Sequence, residues 1–69
     1  MEELKNKIRE MRFFANEMTQ QELAELAGVS RQTIISIEKG KYNPSVKLAL
    51  KIAKIFKKNV EEIFYLEEK

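Results

Sequence analysis

The chain has 69 residues, 13 Lys and Arg against 11 Asp and Glu, a net charge of +2 at pH 7, and neither Cys nor His. Disulfides, the usual zinc and redox motifs and the common His- or Cys-based catalytic pairs are therefore excluded, so a core must come from packed helices or from a second subunit. No apolar run approaches a membrane span, and MEELKNKIRE at the N-terminus lacks the apolar centre of a signal peptide. These features describe a single cytoplasmic domain over 1–69 with no membrane partner, cofactor, metal or evident small-molecule ligand, and not an enzyme.

Periodicity and capping residues predict five helices. The first runs over about 2–14, with Leu4, Ile8 and Met11 on one face. Ala15 to Met18 form a loop, and Met18 tucks inward ahead of a cap as a hydrophobic staple. Thr19 and Glu22 have capping-box spacing and open the second helix; Leu23, Ala24 and Ala27 make its narrow apolar stripe, and Gly28 ends it. Val29 fills the gap, Ser30 caps a third helix and Ile34 and Ile37 face back. Gly40 ends that helix. After the connector Lys41-Tyr42-Asn43-Pro44, Ser45 caps a fourth helix over roughly 46–57, with Leu48, Ala49, Ile52, Ala53 and Phe56 inward. Asn59 and Glu62 frame a short fifth helix, and Tyr65-Leu66 lead into an acidic tail.

The segment 19–40 carries the functional signal. Two helices crossing steeply at a short turn approach closely only through small residues, which Ala24 and Ala27 supply, and Gly28 permits a positive φ. The second of the pair then turns Arg31, Gln32, Thr33 and Ser36 outward, groups able to hydrogen-bond base edges and phosphates, with no acid among them. The charge distribution agrees. Residues 1–29 hold four basic and six acidic side chains, residues 30–58 hold eight basic ones against Glu38 alone, and residues 59–69 hold four acids and one lysine. A polyanion meets one positive stretch that begins at the outward helix. Lys47, Lys51, Lys54 and Lys58 also fit a plain solvent stripe. Ile35 fits core-edge packing or contact with a thymine methyl. Arg12 and Glu38 each follow an inward apolar residue, so a partly buried bond between them could lock the first helix to the end of the third.

TQQELAELAGVSRQTIISIEKGKYNPS resembles the helix-turn-helix of the lambdoid phage repressor, Cro and XRE family, and the similarity extends over 4–65. The resemblance implies an all-α fold, a compact five-helix lambda-repressor-like DNA-binding domain with its helix-turn-helix core at 19–40. It also implies a sequence-specific transcriptional regulator, a repressor that occupies its operator. By position, Ser30, Arg31, Gln32 and Ser36 correspond to base-contacting residues. Thr19, Gln20, Thr33, Lys39, Lys41 and Asn43 correspond to phosphate contacts, with Gln20 also bracing a base-reading side chain. Arg12 and Glu38 match the family's structural ion pair.

One such unit reads few base pairs, so the expected partners are double-stranded DNA with a pseudo-palindromic operator and a second copy of the chain. Val60, Ile63, Phe64, Tyr65 and Leu66 are many apolar groups for a short terminal segment, and a homodimer contact there is the expectation; the alternative is that Ile63 and Phe64 close the chain's own core. The competing reading is an antitoxin-type protein that binds a partner protein and autoregulates its own promoter.

Overall fold

The computed structural model describes residues 1–68; Lys69, the end of the expected acidic tail, lies outside the described residues. The chain runs as β1 (Glu2–Asn6), α1 (Ile8–Phe14), α2 (Gln20–Ala27), α3 (Arg31–Glu38), α4 (Val46–Phe56), α5 (Val60–Ile63) and β2 (Phe64–Glu68). The five helices sit where the apolar spacing and caps predict, with one correction. Residues 2–6 are not the first turns of α1 but a strand, and the acidic tail is its antiparallel partner.

The register pairs Glu2 with Glu68, Leu4 with Leu66 and Asn6 with Phe64, and the Lys7 N–H extends the ladder to the Ile63 carbonyl at 2.8 Å. Local sequence favours this break. Asn6 Oδ1 accepts from the Ile8 N–H at 3.2 Å, which starts α1 at Ile8, while Asn6 Nδ2 donates to the Ile37 carbonyl at 2.9 Å. Asn6 thus ties the strand, the head of α1 and the last turn of α3 together. Acids stack at the open end of the sheet, where Glu3 faces Glu67. Lys5 Nζ lies 2.9 Å from Glu3, whose hydrogen bond and charge raise the lysine pKa above its ordinary value, and the Met1 ammonium meets Glu68 at 3.0 Å.

Helix ends follow the chemistry of their caps. Thr19 and Glu22 form a reciprocal capping box, with Oγ1 accepting from Glu22 N at 3.0 Å and the Glu22 carboxylate accepting from Thr19 N at 2.9 Å. Ser30 and Ser45 each accept from the backbone three residues on, both at 3.1 Å. Gly28 (φ +73) lets the Val29 N–H reach back to the Ala24 carbonyl at 3.0 Å, so α2 stops and the chain turns into α3. Gly40 (φ +76) does the same for α3, with Lys41 N bonding Ser36 O at 2.9 Å. The end of α4 closes with the same pattern, Lys58 N to Ala53 O at 3.0 Å, but its left-handed residue is Lys57 (φ 57).

The core lies where α2, α3 and α4 meet. Ile8, Leu23, Ala24, Ile34, Ile52 and Ile63 have no solvent exposure, and Ala27 and Ile37 have 1%. Each buried Leu or Ile contributes about 1.5–3 kcal/mol over leaving it exposed. Ala24 and Ala27 are the small residues that allow α3 to sit against α2. Met18 is half-buried against the core ahead of the Thr19 cap, as expected of a staple. Among the described residues no helix is long and apolar enough to cross a membrane.

A side chain in the left-handed region costs roughly 1–2 kcal/mol, and glycine there returns about half of that as lost unfolded-state entropy. Lys57→Gly is therefore expected to stabilise the fold by about 0.5–1 kcal/mol, read as a higher denaturant midpoint.

Candidate nucleic-acid interface

The interface is built on α3. At 100° per residue, Gln32 and Ser36 lie on the face turned away from Ile34 and Ile37, with Arg31 and Ile35 on one flank and Thr33 on the other. Arg31 and Gln32 are exposed in the first turn and have no hydrogen-bond partner among the described residues. Ser36 and Ile35 are half-buried. Ser30 Oγ and Thr33 Oγ1 stand 2.9 Å apart, either able to donate. One hydroxyl proton is used between them and one is left for an outside acceptor.

The single acid of α3 is not on the open face in any electrostatic sense. Arg12 Nε donates to Glu38 Oε2 at 2.7 Å and Nη2 to Oε1 at 3.1 Å, a bidentate pair with side-chain exposures of 15% and 10%. Arg12 Nη1 also donates to the Met18 carbonyl at 2.9 Å, which fixes the loop before α2. Gln20 Nε2 donates to Glu38 Oε1 at 3.2 Å. One carboxylate therefore anchors α1, the head of α2 and the end of α3, and its charge is spent internally.

Two depressions flank α3. A cleft of about 630 Å³ is lined by Arg9 and Arg12 of α1, Glu17 in the loop, Thr19 and Gln20 at the head of α2, and Arg31, Glu38 and the C-cap Lys39 of α3. A groove of about 300 Å³ on the other flank is lined by Val29, Thr33, Tyr42, Ser45, Lys47 and Lys51. The first brings four cationic side chains together with two acidic ones, Glu17 and Glu38, and among the described residues Arg12 is the one of the four that is paired with a carboxylate.

Of the sequence-predicted residues, the structure gathers Thr19, Gln20, Arg31 and Lys39 around the first cleft and sets Gln32, Ser36 and Thr33 along α3 beyond it. Lys41 and Asn43 are exposed in the following loop and stand apart from that cleft; Asn43 borders a shallow pocket with Leu4, Asn6 and Phe64. Gln20 is held by Glu38 rather than left free. Two expected dimer contacts need correction. Ile63 (0% exposed) and Phe64 (8%) are part of the chain's own core, because α5 folds back over it, and Val60 is half-buried beside them. Tyr65 and Leu66 remain exposed.

Sequence reasoning missed three contributors. Arg9 shares the cleft with Arg12, and its signal is the three-residue spacing that puts both on one face of α1. Lys51 does not simply solvate α4; its Nζ donates to the Ala27 carbonyl at 3.3 Å and helps close the end of α2. Asn6 had no local signal for its bond to Ile37.

Residues 8–63 match the helix-turn-helix family. The chain belongs to that family. The matched segment runs from the first residue of α1 to the last of α5, so both strands lie outside the shared helix-turn-helix region. The chain is similar to an HTH-type transcriptional regulator of Methanocaldococcus jannaschii, 57% identical over 65 residues that cover 94% of this chain and 97% of that one. It is similar also to one of Archaeoglobus fulgidus (52% identical, 94% and 90% covered) and to one of Bacillus subtilis (49% identical, 94% and 97% covered).

Removing one partner of the Arg12–Glu38 pair strands the other's charge in a partly desolvated place. Glu38→Ala is expected to lower unfolding free energy by about 2–3 kcal/mol, after allowance for the residual exposure, as measured by chemical denaturation.

Proposed function

We propose that the protein regulates transcription by binding double-stranded DNA, with α3 seated in the major groove, and that it represses by occupying its operator. The observation that carries this reading is the open face of α3. Arg31 and Gln32 are exposed and unengaged in the first turn, and the helix's one acid is turned inward and neutralised by Arg12. A major groove about 12 Å wide admits such a helix. Arg31 is suited to bidentate bonding with guanine and Gln32 with adenine, and Ser30 and Ser36 extend the strip that faces bases.

Backbone contacts are assigned to groups beside that strip. Thr19, Gln20 and Lys39 border the cationic cleft, and Thr33, Lys41 and Asn43 lie on the other flank or in the following loop. Phosphate contacts set orientation and carry most of the salt-dependent affinity, and base contacts set preference. The curated relatives named as HTH-type transcriptional regulators support the regulatory role. Because one reading helix covers few base pairs, the proposal includes two copies on a pseudo-palindrome with reading helices about 34 Å apart.

Selection of bound sequences from random duplex DNA, followed by competition with mutated sites, tests the assignment. Arg31→Ala is expected to lose about 1–3 kcal/mol of discrimination at one position of each half-site. Lys41→Ala is expected to weaken binding to all sequences alike and to flatten the salt dependence by about one unit of slope. An Arg31→Ala chain with unchanged base preference, or a wild-type chain that forms no complex at low ionic strength, overturns the reading.

A further inference from the structure

The end of α1 carries side chains that neither the core nor α3 uses. Phe13 and Phe14 are 63% and 80% exposed, and their rings meet edge to face with centroids 5.5 Å apart. A single apolar residue on a surface is ordinary, whereas two aromatic rings side by side form a patch. The loop behind them is stiff. Asn16 and Glu17 both take left-handed backbones (φ 60 and 56), a strained conformation for a side chain such as that of Glu17. Glu17 N bonds Phe13 O at 3.1 Å, Met18 N bonds Arg12 O at 2.9 Å, and Arg12 Nη1 donates to the Met18 carbonyl at 2.9 Å. The rings are therefore presented in one place by the same guanidinium that fixes α3.

Phe13 borders a shallow depression of about 170 Å³ together with Arg9, Arg12, Glu17 and Met18. Those four residues also line the larger cleft beside α3, so the two depressions form one track that leads from Arg31 and Lys39, past the head of α2, onto α1. Arg9 belongs to both parts of it and is exposed. Because Arg12 and Glu38 neutralise each other, the unpaired charges of the track among the described residues are three cations, Arg9, Arg31 and Lys39, against one acid, Glu17. Arg9 and Phe13 stand four apart on α1 and are neighbours on its surface. A cation beside an apolar ring matches a DNA strand, in which each phosphate adjoins the apolar edge of a sugar.

We propose that the DNA strand leaving the cleft is carried onto α1, where Arg9 takes a phosphate and Phe13, braced by Phe14, packs against the adjoining deoxyribose. The contact rests on the DNA-binding reading and extends it, since α1 becomes a second element that grips the backbone, on the flank of α3 opposite Thr33. Its occupant is DNA rather than another protein because the aromatic patch is continuous with the cationic cleft. Glu17 opposes the same strand and holds the affinity down.

Equilibrium binding to the selected duplex over a salt series separates the three roles. Arg9→Gln is expected to lower the slope of log K against log salt by about one unit and to leave base preference unchanged. Phe13→Ala is expected to weaken binding at least about threefold at every salt concentration with the slope intact, because an apolar contact releases no counterion. Glu17→Gln is expected to tighten binding about twofold or more at low salt, an effect that fades as salt rises. Replacing one phosphate at a time with a neutral methylphosphonate is expected to find a position beside the half-site that weakens wild type and not Arg9→Gln. All three side chains are exposed, so denaturant midpoints of the variants are expected to match wild type. A wild-type slope in Arg9→Gln, or an undiminished affinity in Phe13→Ala, the result expected if the rings served a protein partner, overturns the α1 contact while the wild-type complex stands. A wild-type chain that forms no complex overturns the DNA-binding reading and this contact with it, so the two failures are told apart.

Discussion

The carboxylate of Glu38 is the point on which the arrangement turns. It accepts both arms of the Arg12 guanidinium and the Gln20 amide, and Arg12 passes a further bond to the Met18 carbonyl. Three helices and the loop before α2 are thus fixed against one another by a single planar fork. Replacing a buried ion pair by apolar groups is often neutral for stability, so the value of this one is positional. The guanidinium accepts a partner in one plane only, and that plane sets how far α3 stands out from α1 and α2. The same bond removes the one negative charge of α3 from the surface that an anionic ligand would approach.

Small residues complete what the ion pair begins. Ala24 and Ala27 let α3 come close to α2, Gly28 lets the backbone turn between them, and Lys51 holds the last carbonyl of α2 from the far side. The result is a short helix supported along its inner face by Ile34 and Ile37 and bare along its outer one. Under the proposed reading, affinity comes from cations beside the helix and preference from the two exposed side chains in its first turn. Both sets are held on rigid elements rather than on loops, Lys41 and Asn43 excepted.

Much of this was legible in the chain because caps and periodicity are local. Thr19 with Glu22, Ser30, Ser45, Gly28 and Gly40 mark their helix ends within a few residues, and the structure places α2, α3 and α4 accordingly. The Arg12–Glu38 pair was legible for a different reason, the resemblance to a known family. Residues 2–6 read locally as helix because Leu4, Ile8 and Met11 fit a helical stripe, while the partner that makes them a strand lies at the other end of the sequence. Ile63 and Phe64 were assigned to a subunit contact because nothing local says that α5 folds back onto the core. The bond from Glu38 to Gln20 was hidden likewise, since it depends on how helices distant in sequence come to rest.

The strand pair also sets an order of events. Met1 and Glu68, joined in the folded chain, are 67 positions apart. Closing so long a loop is entropically unfavourable until the helices between have collapsed. During synthesis β1 leaves the ribosome before β2, so Leu4 has no Leu66 opposite it until the rest of the chain has emerged. The sheet is therefore expected to close after the helices it spans, and the bond from Asn6 to the Ile37 carbonyl to form only once the N-terminal segment has come to rest against α3.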